Sequence, residues 1–294
     1  MQLPHTPDLT PTGKALPRSG HGIRLSWTGW LGVAVVGFWA FITLFGPWLA
    51  PHHEAAFVAD GSFLPADSDF LLGSDYLGRD LFSRILWGAR TTIGIALVAT
   101  MLAYAVGITL GVAAAVRGGW TDTLLSRGND AILALPGLML ALVVLAALGS
   151  SIPVLIGTAA VVYMSGVFRL SRALAQDVMV QDFVEAARVR GEGAWWIISR
   201  EVMPNITAPL LTDFGFRLCF VILLISGLSF LGLGVQPPAA DWGSMVRENL
   251  QGLSFGAMAA LWPAAAIASL TIGINLIVDD VSADRAVGLA RKML

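Results

Sequence analysis

The sequence predicts an all-α membrane protein with six transmembrane helices, and two observations support that prediction. Of the 294 residues, 56% are hydrophobic and 13% are charged, whereas soluble domains carry about 25% charged residues. The apolar residues also fall into long runs. The first of these, residues 27–50, would extend about 36 Å as an α-helix, which exceeds the roughly 30 Å of a hydrocarbon core. The chain is therefore expected to be an integral membrane protein.

The chain begins with a polar segment that is expected to lie outside the membrane. Residues 1–26 are rich in proline, threonine and glycine and are predicted to form a cytoplasmic tail, because such a composition buries too little apolar surface to fold alone. The first transmembrane helix, residues 27–50, has Trp27 and Trp48 near its ends, where aromatic side chains anchor at membrane interfaces. Residues 51–90 follow as a polar extracytoplasmic segment.

Five further apolar runs form a predicted five-helix core over residues 91–280, followed by a second cytoplasmic tail at residues 281–294. Only residues 149–151 separate the third span from the fourth, so these two helices are expected to form a tight hairpin. An even number of spans places both termini on one side of the membrane. The predicted spans of the core are residues 91–116, 131–148, 152–170, 206–235 and 258–278.

The distribution of lysine and arginine predicts which side faces the cytoplasm. The termini and the two connections on their side, 117–130 and 169–205, carry thirteen of these residues, whereas the opposite face carries four. Positive residues accumulate on cytoplasmic loops. The termini and the loop at residues 171–205 are therefore expected in the cytoplasm.

Several classes of function are disfavoured. The net charge of −2 leaves no basic footprint for nucleic acid. The glycine and lysine spacing of a Walker phosphate-binding loop does not occur, so the chain is not expected to bind ATP by itself. His52, His53 and Glu54 raise the alternative of a metal site, but a surface loop is favoured because neighbouring residues seldom converge on one ion. No catalytic, cofactor-binding or metal-binding residue is predicted in this chain.

One pair of ionisable residues lies inside a predicted span. Asp213 and Arg217 are four residues apart, the favourable spacing for an ion pair on a helix. An ionisable residue within a span indicates function by default. The other interpretation is that both residues mark the water boundary, because they lie close to the predicted start of the span at residue 206.

The charged stretch at residues 182–205 separates the fourth and fifth spans. Residues 182–190 are predicted to form a short helix that Gly191 ends, and residues 194–202 are predicted to form a second helix that stops before Pro204. The first helix mixes acidic and basic residues, which disfavours a lipid-surface role because lipid-binding helices have mainly basic polar faces. Mixed charge with small alanines instead favours insertion into a groove of a protein partner.

Three groups of residues carry a resemblance to a known family. The first is Glu185-Ala186-Ala187, followed by Gly191 and Pro204. The others are the stretches 71–90 and 228–246. The first group resembles the EAA loop of ATP-binding-cassette (ABC) importer permeases, and the two stretches resemble signatures of the C-type subunit in the dipeptide, oligopeptide and nickel branch. The signature residues within the stretch 71–90 are Gly73, Asp75, Gly78, Arg79, Asp80, Ser83 and Arg84.

The resemblance implies a type I importer permease fold and a coupling role without covalent chemistry. In that family a short cytoplasmic helix docks in a groove of an ATPase subunit. Glu185 would make polar contacts with the ATPase, and Ala186 and Ala187 would permit close packing. Gly191 would make the turn, and Pro204 would begin the fifth span. The residues implied to couple the ATPase to the membrane helices are Asp182, Glu185, Ala186, Ala187, Arg190, Gly191 and Pro204.

The resemblance also implies partners and a substrate class. The expected partners in the bacterial inner membrane are a homologous B-type permease subunit, two cytoplasmic ATPases that hold ATP and Mg²⁺, and an extracytoplasmic solute-binding protein. Di- and oligopeptides are the leading substrates, while nickel chelates, opines, glutathione and sugars stay open. The alternative function from another class is a stand-alone secondary transporter or channel.

Overall fold

The computed structural model describes residues 25–68 and 70–293, and for residues 284–293 it describes the backbone alone. The predicted tail at residues 1–26 therefore lies almost entirely outside the described residues. In the described chain, β-type pairing is limited to two isolated bridges, Phe57 with Arg79 and Ser74 with Asp80. The α-helices are α1 Trp27–Leu49, α2 Leu81–Arg117, α3 Gly119–Leu133, α4 Gly137–Leu148, α5 Ile152–Met179, α6 Asp182–Val189, α7 Ala194–Ile197, α8 Met203–Phe230, α9 Trp242–Glu248 and α10 Leu261–Met293.

The fold class predicted from the sequence is confirmed. Five helical segments in the described chain are long and apolar enough to cross a membrane, and the bent pair α3 and α4 supplies a sixth if it counts as one span. The first predicted span agrees with α1 to within one residue. The last helix, α10, continues to Met293, so the segment predicted as a tail from residue 281 extends the same helix.

The third predicted span, residues 131–148, differs from the structure. The 12 residues of α4 would cover only about 18 Å, less than a hydrocarbon core of about 30 Å. The preceding α3 meets α4 at a bend of 83°. The bend lies next to Pro136, the N-cap of α4, because proline lacks a backbone N–H and disfavours helical geometry in the residue before it.

The prediction that a helix over residues 194–202 stops before Pro204 was wrong. Helical structure continues through Ala194–Phe230, because a π-helical turn at Ile198–Val202 joins α7 to α8. Pro204 is exposed in the first turn of α8. A π turn adds one residue to the hydrogen-bonded ring, a local irregularity found inside continuous α-helices. The helix therefore accommodates the proline instead of ending at it.

α2 is the central helix of the bundle, and its main neighbour is α5. A Cβ atom at Gly107 would lie 2.8 Å from the Cβ of Val167, and one at Gly111 would collide with the Ser171 hydroxyl. Ser171 Oγ donates a hydrogen bond of 3.2 Å to the Gly107 carbonyl. The GxxxG spacing in the second span therefore permits the close approach of two helices.

The remaining helices pack around α2 and α5. The predicted hairpin is confirmed, since residues 149–151 join α4 to α5 and the two helices pack together. The helices α1 and α10 are also in contact, and Trp39 Nε1 donates to Ser269 Oγ at 2.9 Å. A large apolar cluster fills the space between α1, α2, α8 and α10. A smaller cluster lies where α2, α5, α6 and the start of α8 meet.

Candidate functional site

The short helix α6 is anchored by one face. Val184 and Ala187, three residues apart on the helix, are both 0% exposed. They belong to the smaller apolar cluster, together with Val112 of α2, Ala175 of α5 and Ile206 of α8. Burying these side chains removes apolar surface from water, which favours the anchored position. α6 is therefore anchored in an apolar cluster that it shares with three of the long helices.

The opposite face of α6 is exposed and carries charges of both signs. Asp182 and Glu185 lie in the first turn, and Arg188 lies in the last. Acidic residues near the N-terminus and a basic residue near the C-terminus complement the helix dipole. Ala186 is exposed on this face, whereas Ala187 faces the protein core. The two alanines of the motif therefore have different environments.

Apolar side chains extend this exposed face. Val189 is 84% exposed and Trp195 is 78% exposed, and Phe183 is exposed as well. Single exposed apolar residues are ordinary, but several within one short loop mark an interaction surface. The name α6 surface is used for the exposed residues Asp182, Phe183, Glu185, Ala186, Arg188, Val189 and Trp195.

A glycine turn joins α6 to α7. Gly191 has a φ of +83°, a left-handed conformation that glycine adopts readily. The backbone N–H of Glu192 donates to the Ala187 carbonyl at 3.1 Å, which closes the end of α6. The guanidinium of Arg190 lies 5.7 Å from the centre of the Trp196 ring and 4.0 Å from the Glu192 carboxylate. Arg190 is therefore engaged within the loop.

At the N-terminal end of α2, the signature segment surrounds a cluster of four charges. Asp75 Oδ2 lies 2.7 Å from Arg79 Nε and 2.5 Å from Arg84 Nη1. Glu248 Oε2 lies 3.1 Å from Arg79 Nη2 and 3.2 Å from Arg84 Nη1. None of the four side chains is more than 6% exposed. We call this electrically balanced group the charge cluster; such charges are buried only when paired.

Asp80 begins α2 as its N-cap. Its carboxylate accepts hydrogen bonds from the backbone N–H groups of Phe82 and Ser83, both at 3.2 Å, as N-cap side chains do. The Ser83 hydroxyl donates to Asp80 Oδ2 at 2.5 Å and accepts a hydrogen bond from the backbone N–H of His52 at 3.0 Å. His52 Nδ1 lies 3.4 Å from Asp80 Oδ2. Within the described ranges, no three residues among His, Cys, Asp and Glu are grouped to hold a metal ion.

The two signature glycines are required by the turns of this segment. Gly73 and Gly78 have φ values of +78° and +75°. A Cβ atom at Gly73 would collide with the Leu64 carbonyl oxygen. All seven signature residues are buried, so they build the fold and present little surface to a partner.

Sequence reasoning missed two residues of this region, Glu248 and Asn249. Glu248 completes the charge cluster, and Asn249 Oδ1 accepts the backbone N–H of Tyr76 at 3.1 Å. The stretch 228–246 ends just before them. Charge balance could have indicated Glu248, because the two buried arginines Arg79 and Arg84 next to Asp75 require a second carboxylate.

The stretch 228–246 packs α9 against α2. Trp242 Nε1 donates to the Ile85 carbonyl at 3.0 Å. Asp241 is the N-cap of α9 and accepts hydrogen bonds from Ser244 N at 3.0 Å and Thr92 Oγ1 at 2.8 Å. Complete burial raises the pKa of the Asp241 carboxyl, and this effect exceeds the lowering caused by its hydrogen bonds.

These regions differ in what they can do. The charge cluster is closed to solvent and holds the signature segment on α2 and α9. The α6 surface is open and lies on a helix that packs against α5 and shares an apolar cluster with α2, α5 and α8. Because packed helices move together, a partner bound there would act on the membrane helices directly. The fold and this loop define a polytopic helical membrane protein with an exposed, anchored loop between two spans.

Comparison with known proteins identifies the family. Residues 107–282 match the family described as binding-protein-dependent transport system inner membrane component. The chain is 34% identical over 245 residues to the di/tripeptide transport system permease protein DppC of Pseudomonas aeruginosa, with 81% of each chain covered. It is 34% identical over 248 residues to the peptide transport system permease protein SapC of Escherichia coli O6:H1, which covers 82% of this chain and 84% of that protein.

A third relative is the glutathione transport system permease protein GsiD of Pectobacterium atrosepticum. It is 33% identical over 208 residues, which cover 71% of this chain and 69% of that protein. The chain belongs to the family of binding-protein-dependent transport system inner membrane components.

Family membership establishes the coarse function. The chain is a non-catalytic permease subunit of an ABC importer and a multi-pass protein of the bacterial inner membrane. It works in a complex with other permease and ATPase subunits. The resemblance stated from the EAA and signature residues is confirmed.

Proposed function

We propose that this chain couples ATP hydrolysis by partner ATPase subunits to the import of di- and oligopeptides, and that the α6 surface is the point of coupling. The observation that carries the proposal is the contrast between the two faces of α6. Val184 and Ala187 are fully buried, whereas Val189 and Trp195 are almost fully accessible. One face anchors the helix, and the other is free for a partner.

The chemistry of the α6 surface favours a protein groove. Its exposed residues combine Asp182, Glu185 and Arg188 with the apolar Phe183 and Val189. Amphipathic helices that bind protein grooves use apolar anchors with polar contacts around them. A surface for anionic lipid would instead need predominantly basic residues. The loop lies on the face that the lysine and arginine distribution assigns to the cytoplasm, where the ATPases act.

The proposed complex contains a homologous B-type permease subunit, two cytoplasmic ATPases and an extracytoplasmic solute-binding protein. ATP and Mg²⁺ belong to the ATPases, since this chain carries no Walker motif. Peptides are proposed as substrates because two relatives are named for di/tripeptide and peptide transport. Another relative is named for glutathione transport, so glutathione is included in the test.

A disulfide crosslink tests the docking surface. In a variant with Cys219 replaced by alanine, Ala186→Cys is expected to crosslink to a cysteine in the groove of the ATPase subunit. Ala187→Cys is the matched control, because it is the neighbouring residue of the same type but is 0% exposed. Equal crosslinking at both positions, or none at either, would contradict the assignment of the exposed face.

Transport by the purified complex in proteoliposomes tests coupling and substrate together. Uptake of radiolabelled dialanine is expected to require ATP, the ATPases and the solute-binding protein. Deletion of residues 183–192 is expected to abolish uptake and the stimulation of ATPase activity by the loaded solute-binding protein. Transport that persists after the deletion would exclude coupling through α6. Uptake of glutathione but not dialanine would show that glutathione, and not di- and oligopeptides, is the substrate.

A further inference from the structure

The pair Asp213 and Arg217 lies at the middle of α8. The ion pair predicted from their spacing is present, with Arg217 Nε 2.6 Å from Asp213 Oδ2. Arg217 is the fifteenth of the 28 residues of α8, which places it about 20 Å from both Met203 and Phe230 at ~1.5 Å per residue. The pair therefore lies near the middle of α8 and not in its first turns.

The pair is held between three helices. The Tyr104 hydroxyl of α2 donates to Asp213 Oδ2 at 2.5 Å. The guanidinium of Arg217 lies directly over Gly166 of α5, where a Cβ atom would collide with it. One turn further along α8, the Tyr163 hydroxyl of α5 donates to the Phe220 carbonyl at 2.9 Å. Polar groups from α2, α5 and α8 therefore converge at this depth.

The pair is also partly open. The side chains of Arg217 and Asp213 are 19% and 24% exposed. Charges that face lipid at mid-depth are costly, so ionisable residues in spans turn towards protein or a water-filled cavity. By this rule we expect the open side to face the interior of the transport complex, where the second permease subunit and the substrate pathway lie in the proposed function.

Each partner of the pair keeps unused hydrogen-bonding capacity. The Arg217 guanidinium donates from Nε to Asp213 and interacts with the Tyr104 hydroxyl, and these two contacts do not use all of its five N–H donors. Both hydrogen bonds to the Asp213 carboxylate go to Oδ2, which leaves Oδ1 as an acceptor. A guanidinium edge suits a carboxylate, which it binds with two parallel hydrogen bonds.

We propose that Asp213 and Arg217 form a contact site for the two charged ends of a zwitterionic substrate as it crosses the membrane. The substrate carboxylate contacts the terminal nitrogens of Arg217, and its ammonium group contacts Asp213 Oδ1. A dipeptide spans at most about 7 Å, and residues four apart on a helix lie about 5–6 Å apart. Both ends of a dipeptide can therefore reach the pair at once. The inference rests on the proposed function.

The ion pair also explains how such a site releases its substrate. Arg217 and Asp213 neutralise each other when no substrate is present, so neither charge needs the substrate for compensation. Sites along a permeation path must bind strongly enough for entry and weakly enough for exit. A pair whose two charges neutralise each other meets the conditions for entry and exit better than a single buried charge, which would hold an oppositely charged substrate too tightly.

The test compares two peptides that differ only at the carboxyl end. Uptake of dialanine and of its C-terminal amide is measured in proteoliposomes that contain the complete complex, at concentrations that give equal occupancy of the solute-binding protein. The wild-type complex is expected to transport dialanine at least tenfold faster than the amide. In Arg217→Gln the ratio of the dialanine rate to the amide rate is expected to fall to about one, because the contact with the substrate carboxylate is lost. The control Arg127→Gln removes an exposed arginine of α3 and is expected to keep the wild-type ratio.

The double variant Asp213→Asn with Arg217→Gln separates recognition from folding. It leaves no unpaired charge inside the span, so it is expected to assemble normally and still transport both peptides at similar rates. A double variant that regains the wild-type ratio would show that the pair is structural, and so would an Arg217→Gln variant in which both rates fall by the same factor. Absence of ATP-dependent dialanine uptake by the wild-type complex would instead overturn the proposed function, and the inference with it.

Discussion

Replacing Asp75 with asparagine tests whether the charge cluster stabilises the fold. Asp75 Oδ2 accepts hydrogen bonds from Arg79 Nε at 2.7 Å and Arg84 Nη1 at 2.5 Å. Its Oδ1 accepts the backbone N–H groups of Leu77 at 2.8 Å and Arg79 at 2.9 Å. Arg84 already has two buried nitrogens, Nε and Nη2, without a hydrogen-bond partner among the described residues. Asparagine would leave this guanidinium with only Glu248 as a counter-charge.

The expected loss follows from the burial of these groups. Removing one partner of a buried ion pair costs about 3–5 kcal/mol, because the remaining charge is left uncompensated. Asp75→Asn is therefore expected to lower the free energy of unfolding by about 3–5 kcal/mol. The change is measured by reversible unfolding of the purified chain in mixed micelles with increasing denaturing detergent. Tryptophan fluorescence is a suitable signal, since the chain has ten tryptophans.

Two further variants decide whether the cluster is responsible. Asp60→Asn changes an exposed carboxylate in the same segment and is expected to change stability by no more than about 0.5 kcal/mol. Asp75→Asn combined with Arg84→Gln restores charge balance, so the two losses should fall short of additivity by about 0.5–3 kcal/mol. A loss for Asp75→Asn no larger than that for Asp60→Asn would refute the reasoning, as would strict additivity.

Three other predictions follow from packing and burial. Gly111→Val is expected to cost roughly 1–3 kcal/mol, the range for overpacking. Gly94→Val is expected to be tolerated, because among the described residues no atom beyond the local helix backbone lies within 4 Å of a Cβ placed there; detergent unfolding measures both. Val189→Asp is expected to reduce ATPase stimulation without loss of stability, while Val184→Asp, which buries a charge, is expected to prevent folding. The raised pKa of Asp241 means that the folded state binds its proton more tightly than the unfolded state does. The stability of the wild type relative to Asp241→Asn should therefore fall as the pH rises from the pKa of Asp241 in the unfolded chain towards its pKa in the folded chain. Unfolding at several pH values measures this change.

The sequence predicted the spans well where burial in lipid alone decides the structure. Residues 27–50 are almost entirely apolar, and α1 ends within one residue of that run. The bend beside Pro136 and the π turn before Pro204 were not predicted correctly, although each involves a proline. Proline removes a hydrogen bond at both positions, but the outcome depends on the packing around it. The chain bends by 83° between α3 and α4, beside Pro136, whereas the helix that contains Pro204 stays continuous.

The candidate sites show the same division between local and long-range information. The N-cap role of Asp80 and the left-handed conformation of Gly191 are local, so short sequence patterns point to them. Glu248 joins Arg79 across 169 residues of sequence, and Tyr104 joins Asp213 across 109. No helical or strand periodicity reports such contacts. The orientation of Ala186 and Ala187 also required the structure, since either could have faced the partner.

The continuity of the helix at Ala194–Phe230 constrains how the proposed coupling operates. Its 37 residues extend about 55 Å at ~1.5 Å per residue, from the glycine turn after α6 past Arg217 to the far end of α8. The same α6 packs against α5 and shares an apolar cluster with α2, and residues Tyr104 of α2 and Gly166 of α5 flank the Asp213–Arg217 pair. In the proposed coupling, a push on the α6 surface would therefore reach α5 directly and α2 and α8 through the apolar cluster that they share with α6. In the proposed function, the substrate pathway would then open and close by movement of these helices against the second permease subunit. The π turn at Ile198–Val202 is the irregular point of the connecting helix.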